Sequence, residues 1–190
     1  MTKKLTINYA SLPVMAICLT RSTQFIGRAI QLFRGGIKAL TDKLFPNHAL
    51  LVTQDHGQKF ATEEMASGLV ENSLEEYTKP GNKITEAYHW VGFNDEAKKE
   101  AAEYYLAEIR RRAMENSKYD WKGLFSFVPF FKLFTKPDPA KQWCSENVAS
   151  ILKKFGCTLF EKTEITPDQL LKICKDNPTE FVPVINFYKE

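Results

Sequence analysis

Four cysteines, Cys18, Cys144, Cys157 and Cys174, are all that 190 residues contain, and no two of them form a CxxC pair. That spacing argues against a zinc knuckle or a dithiol redox motif. A chain of this length hides roughly 70% of its unfolded surface, so it folds without disulfide staples and reduced thiols are expected. Uninterrupted apolar runs of about 18–20 residues are absent, so no membrane-spanning helix is expected. Lys3 and Lys4 ahead of Leu12 to Leu19 loosely imitate a secretion signal. Pro13 interrupts that stretch and no small-x-small cleavage site follows it, so it reads as a buried strand and a cytoplasmic location is expected. Charge of one sign is also lacking: 26 basic residues stand against 23 acidic ones, which gives no ground for a nucleic-acid partner. The basic patch Arg110-Arg-Arg112 is flanked by Glu108 and Glu115 and reads as a solvated helix face. Histidine is scarcer still, with only His48, His56 and His89.

What remains is an ordinary globular composition, 44% hydrophobic and 26% charged, with no internal repeat or low-complexity linker. It implies a single domain over residues 1–190. Val14 to Leu19 reads as a first strand, and Ser22 caps a helix whose apolar face holds Phe25, Ile26, Ala29, Ile30 and Phe33. His48 to Thr53 and Gln58 to Glu64 read as a hairpin joined by the turn Gln54-Asp-His-Gly57. Gly68 to Asn72 continues extended, and Ile84 to Val91 is a further strand. Asn94 caps the longest helix, about Glu96 to Asn116. Five phenylalanines fall between Leu124 and Phe134, with Pro129 among them. A helix from Cys144 to Phe155 follows, then one from Thr166-Pro167 to Lys175. Phe181 to Tyr188 closes the chain as an edge strand, because Pro183 lacks a donor. The expected fold class is α+β, a small antiparallel sheet packed against helices.

Chemistry concentrates around Gln142-Trp-Cys-Ser-Glu-Asn-Val-Ala149. Pro137 and Pro139 precede this stretch and amphipathic spacing (Val148, Ile151, Leu152, Phe155) follows it, so Cys144 falls in the first turn of a helix. Unpaired N–H groups and the helix dipole there favour an anion and lower a thiol pKa. The same N–H groups can bond a developing oxyanion. The other cysteines read as small core hydrophobes. A cysteine nucleophile needs an imidazole base. His56 lies in an exposed turn and His89 reads as a half-buried strand residue, whereas His48 opens a strand at the rim of the sheet. An orienting group completes such a site. Thr62-Glu-Glu-Met65 on the next strand supplies one, and period-two alternation lets only one of Glu63 and Glu64 share the face of His48.

With His at a strand start, Glu on the next strand and Cys at a late helix start, the sequence resembles the circularly permuted branch of the NlpC/P60 papain-like superfamily, the YiiX-like cysteine hydrolases. The resemblance runs from about residue 14 to residue 156. It is carried by Val14 to Phe33, Asn47-His-Ala-Leu-Leu-Val52, Thr62-Glu-Glu-Met-Ala-Ser-Gly-Leu69, Lys118-Tyr-Asp120 and Trp143-Cys-Ser-Glu-Asn-Val-Ala149. It implies a permuted papain-like fold with Cys144 as nucleophile, His48 as general base and Glu64 as orienting carboxylate, Glu63 being the alternative. Tyr119 and Trp143 would line the substrate site. Two features depart from the family: Leu12-Pro13-Val14 stands where a Gly-Asp-hydrophobic signature is common, and the Phe-rich insert is peculiar to this chain.

The implied reaction is acyl transfer through a thioester, with a peptide- or lipid-derived amide or ester as substrate and neither metal nor organic cofactor. An amine or alcohol acceptor in place of water would make the same site an acyltransferase, as in lecithin:retinol acyltransferase-like proteins. A papain-like domain that binds without catalysis is the rival of a different class. The Phe125 to Phe134 run reads as core, with peripheral membrane contact as the alternative because Lys132, Lys136 and Lys141 accompany it.

Overall fold

Short extended runs separated by tight turns fold the middle of the chain into successive hairpins. The computed structural model describes residues 6–22, 46–65, 68–115 and 143–189. Its strands are β1 (Thr6–Ile7), β2 (Ile17–Ser22), β3 (His48–Asp55), β4 (Gln58–Met65), β5 (Gly68–Ser73), β6 (Asn82–Trp90), β7 (Phe181–Pro183) and β8 (Tyr188–Lys189). Three helices are described, α1 (Asp95–Met114), α2 (Cys144–Lys154) and α3 (Pro167–Asp176), and a 3-10 turn spans Leu74–Thr78. Six strands form one antiparallel sheet in the order β5-β4-β3-β2-β6-β7, while β1 pairs with β8 alone. The class is therefore α+β. The segments expected to hold a helix over Phe25 to Phe33, the Tyr119-Asp-Trp121 stretch and the Phe125 to Phe134 run lie outside the described residues.

The β3–β4 hairpin positions the site. Its two-residue turn is His56-Gly57, with φ of 45° and 82°. Both central residues of this kind of turn need positive φ, which glycine adopts without strain. The turn pairs Asp55 with Gln58 and continues through Val52 with Ala61 and Leu51 with Thr62. Directly paired residues share a face and neighbours along a strand alternate. His48, Leu50 and Val52 therefore share one face with Ala61 and Glu63, and Ala49 and Leu51 share the other with Thr62 and Glu64.

Both faces are covered, which is why β3 reads as a nearly continuous apolar run. Leu51 joins Ile17, Leu19, Tyr105, Val148, Ile151 and Leu170 beneath the helices. Leu50 and Val52 join Ile7, Leu12, Leu74, Tyr77 and Ile84 on the opposite side. Each fully buried Leu or Ile contributes about 1.5–3 kcal/mol relative to exposure. α2 packs on β3 and β4, and α1 on β5. Asn94 Oδ1 accepts the Ala97 N–H at 2.8 Å, capping α1.

Two strands differ from expectation. The first begins at Ile17 and not Val14, because Met15 takes φ 61° and turns the chain. The last is not continuous from Phe181 to Tyr188: Asn186 has φ 57°, and the two halves pair in different sheets. β7 is an edge strand, where Pro183 needs no ladder donor on its outer side. No described helix is long and apolar enough to cross a membrane.

Candidate active site

Asn47 sets the entry to β3. Its side chain brackets Ser22, accepting the Ser22 N–H at 2.8 Å and donating to the Ser22 carbonyl at 2.7 Å. His48 follows at once, at the rim of the sheet. Its Nε2 lies 2.5 Å from Glu63 Oε2, and Glu63 is 3% exposed. The same oxygen accepts the Tyr77 hydroxyl at 2.5 Å, and Oε1 accepts Asn72 Nδ2 at 2.9 Å. Burial pushes the Glu63 carboxyl up, yet the hydrogen bonds and charge of His48, with Tyr77 and Asn72, hold it below its ordinary value.

Cys144 reaches the ring from α2. The helix starts at this residue, and Trp143 at the N-cap provides no capping side chain. First-turn N–H groups are thus left for another acceptor. The sulfur takes the Ser145 N–H and, from β3, the Ala49 N–H, and it is hydrogen-bonded to His48. With Nε2 engaged by Glu63, Nδ1 is the ring nitrogen left for the thiol. Burial alone would raise the Cys144 thiol, but the imidazolium charge and these hydrogen bonds lower it. Reciprocally, burial works to lower His48, and the sulfur and Glu63 overcome it and raise the ring. Each group thereby favours the charged form of the other, and the titration belongs to the pair.

The contrast among thiols is sharp. All four cysteines are free and buried. Burial pushes Cys18, Cys157 and Cys174 up, with no cation to reverse it. Only Cys144 is lowered. His56 is exposed in its turn, and His89 is half-buried and lowered chiefly by burial. Neither meets a described thiol. Among the described residues no group of three or more His, Cys, Asp or Glu is placed to hold a metal ion.

Two expectations need correction. The carboxylate against His48 is Glu63, not Glu64. The register fixed by the His56-Gly57 turn puts Glu64 on the helix-covered face, where its Oε2 accepts Arg112 Nη1 at 3.0 Å and Asn147 Nδ2 at 3.2 Å. Trp143 is fully buried and its indole N–H donates to the Ile165 carbonyl at 2.7 Å. It braces α2 against the segment leading to α3 and has no surface to offer a ligand. Tyr119 lies outside the described residues. Asn47, Asn72, Tyr77 and Asn147 complete the site and were given no role from the sequence, and Arg112, expected on a solvated helix face, is instead buried between Glu64 and Glu108. The two-residue His-Gly turn was the signal that could have separated Glu63 from Glu64, since it sets the parity of the hairpin.

Such an arrangement can deprotonate a thiol, hold the resulting imidazolium against a carboxylate, and offer helix-start N–H groups to a developing oxyanion. A scan of the chain against protein-family models finds no match, and a search of curated proteins finds none either.

Proposed function

We propose that the chain is a cysteine hydrolase of the circularly permuted NlpC/P60 papain-like type, cleaving an amide or ester through a thioester on Cys144. The observation that carries this reading is the hydrogen-bonded series Cys144–His48–Glu63, drawn from three elements, in which the thiol alone among four buried cysteines is lowered.

In the proposed reaction His48 holds the proton of Cys144, and the thiolate attacks the carbonyl carbon. First-turn N–H groups of α2 stabilise the oxyanion as the tetrahedral centre forms. The imidazolium protonates the leaving amine or alcohol, leaving an acyl thioester. Water, deprotonated by the same ring, then attacks the thioester, and the sulfur leaves as thiolate to restore the pair. Glu63 holds the ring's orientation and favours its charged form, while Tyr77 and Asn72 fix Glu63 in turn. Peptide- and lipid-derived acyl groups both satisfy this chemistry.

Para-nitrophenyl acetate tests the reading without knowledge of the natural substrate. Intact-mass and peptide analysis should show one acetyl group on Cys144 that is lost on standing, and none in Cys144→Ala or His48→Ala. Acetylation spread over lysines, unchanged by either substitution, would refute the assignment.

A further inference from the structure

Glu64 has lost the role the sequence suggested, yet it is 1% exposed, and a carboxylate so deep in a protein calls for an account. Its Oε2 joins two helices to β4: Arg112 Nη1 comes from α1 and Asn147 Nδ2 from α2. Asn147 is also buried and sits one turn along from Cys144, its N–H bonding the Trp143 carbonyl at 2.9 Å. The tie therefore acts on the turn that carries the thiol. Arg112 also donates its Nε–H to Glu108 Oε1 at 2.8 Å, so this donor is held between two carboxylates. Glu64 Oε1 accepts no hydrogen bond among the described residues.

We propose that Glu64 is a positioning residue for the nucleophile: through Asn147 it anchors the first turn of α2 so that the Cys144 sulfur stays within reach of His48 and the Ala49 N–H. This rests on the hydrolase reading above. The sulfur's hydrogen bonds come from two elements, α2 and β3, and α2 has no capping side chain at its start. Trp143 and Ser145 tie that end of the helix to the Ile165 carbonyl, and Asn147–Glu64 ties it to the sheet. The groups facing Glu64 are Arg112 and Glu108 of α1, Asn147 of α2 and, by their charges, Tyr105 and His48. The hydrogen bonds, more than the charge, do the positioning. A glutamine at 64 keeps an acceptor for Arg112 and Asn147 and turns its amide toward the position where Oε1 has no partner.

The test is the pH profile of Cys144 alkylation by iodoacetamide in the full chain, read by peptide mass, beside thermal unfolding of each variant. Asn147→Ala and Glu64→Ala should move the thiol's titration upward and slow alkylation at neutral pH by about tenfold, the equivalent of one pH unit of thiolate population. Glu64→Gln should retain a rate within about threefold of the parent, under half a pH unit. A merely structural residue would lower the unfolding midpoint and leave the profile in place, and that result in Asn147→Ala would overturn the proposal. Equal loss in Glu64→Gln and Glu64→Ala would overturn it as well, by assigning the effect to charge. Should Glu64→Ala not fold, Asn147→Ala decides alone. A parent thiol that titrates at its ordinary value would overturn the hydrolase reading itself, before any comparison of variants.

Discussion

Replacing Glu63 by glutamine should separate the two adjacent glutamates, and its size can be worked from the geometry. Glu63 Oε2 meets His48 Nε2 at 2.5 Å in a setting 3% exposed at Glu63 and 17% at His48. Two unit charges with centres ~4 Å apart attract by about 4 kcal/mol at an effective dielectric of ~20, equivalent to about three pH units of titration. A neutral glutamine still accepts hydrogen bonds, so a residual effect of about one to two units, or tenfold to a hundredfold in thiolate population, is expected. The consequence passes from carboxylate to ring to sulfur. With less reason to carry charge, His48 gives the Cys144 thiolate weaker support. Alkylation of Cys144 at pH 6, followed by peptide mass over a pH series, should slow by that factor in Glu63→Gln. Exposure cannot produce the difference among thiols, since all four are buried. The reverse pattern, with Glu63→Gln unchanged and Glu64→Gln slow, would refute the reasoning from hairpin parity.

Two further predictions concern stability. Burial raises the Glu64 carboxyl to about 7 from an ordinary value of 4.5, against the opposing pull of Arg112 and Asn147. A carboxyl raised in the folded state contributes stability in full below the lower value and loses it as pH rises through the upper one. The interval is worth about 3 kcal/mol, so urea unfolding should show stability falling between these pH values, and Glu64→Gln should flatten that fall. An equal fall in both proteins would remove Glu64 as its source. At Gly92 an added Cβ would stand 2.2 Å from Trp90 Cζ2, and the indole is packed edge-on against Phe93 with ring centroids 4.9 Å apart. Gly92→Ala should cost about 1–3 kcal/mol, read as a lower thermal midpoint, and an unchanged midpoint would show that the indole has room to move.

Much of this architecture is legible along the chain because its causes are local. Pro167 behind Thr166 marks the start of α3, where the Thr166 N–H donates to Gln169 Oε1 at 3.0 Å. Asn94 marks the start of α1, and the apolar spacing after Cys144 marks α2. A cysteine at a helix start and a histidine at a strand start could be named for the same reason, since each depends on its immediate neighbours. Positive φ at Met15 and Asn186 was not legible, as neither residue announces a turn as glycine does; the first strand therefore starts later than expected and the last is split in two.

What the amino-acid order determined by itself was a set of elements and two reactive groups in favourable local settings, a thiol at a dipole's positive end and an imidazole at a sheet rim. Only the tertiary structure decided that these groups meet, and which carboxylate serves the ring. Adjacent glutamates on one strand are chemically alike, and a shift of one residue in hairpin register exchanges their faces. Pairing across β3 and β4 gave Glu63 to His48, Tyr77 and Asn72, and gave Glu64 to Arg112 and Asn147. These partners lie far apart in sequence, so no local pattern reports them. Their roles follow from contacts that exist only once the sheet and helices have packed.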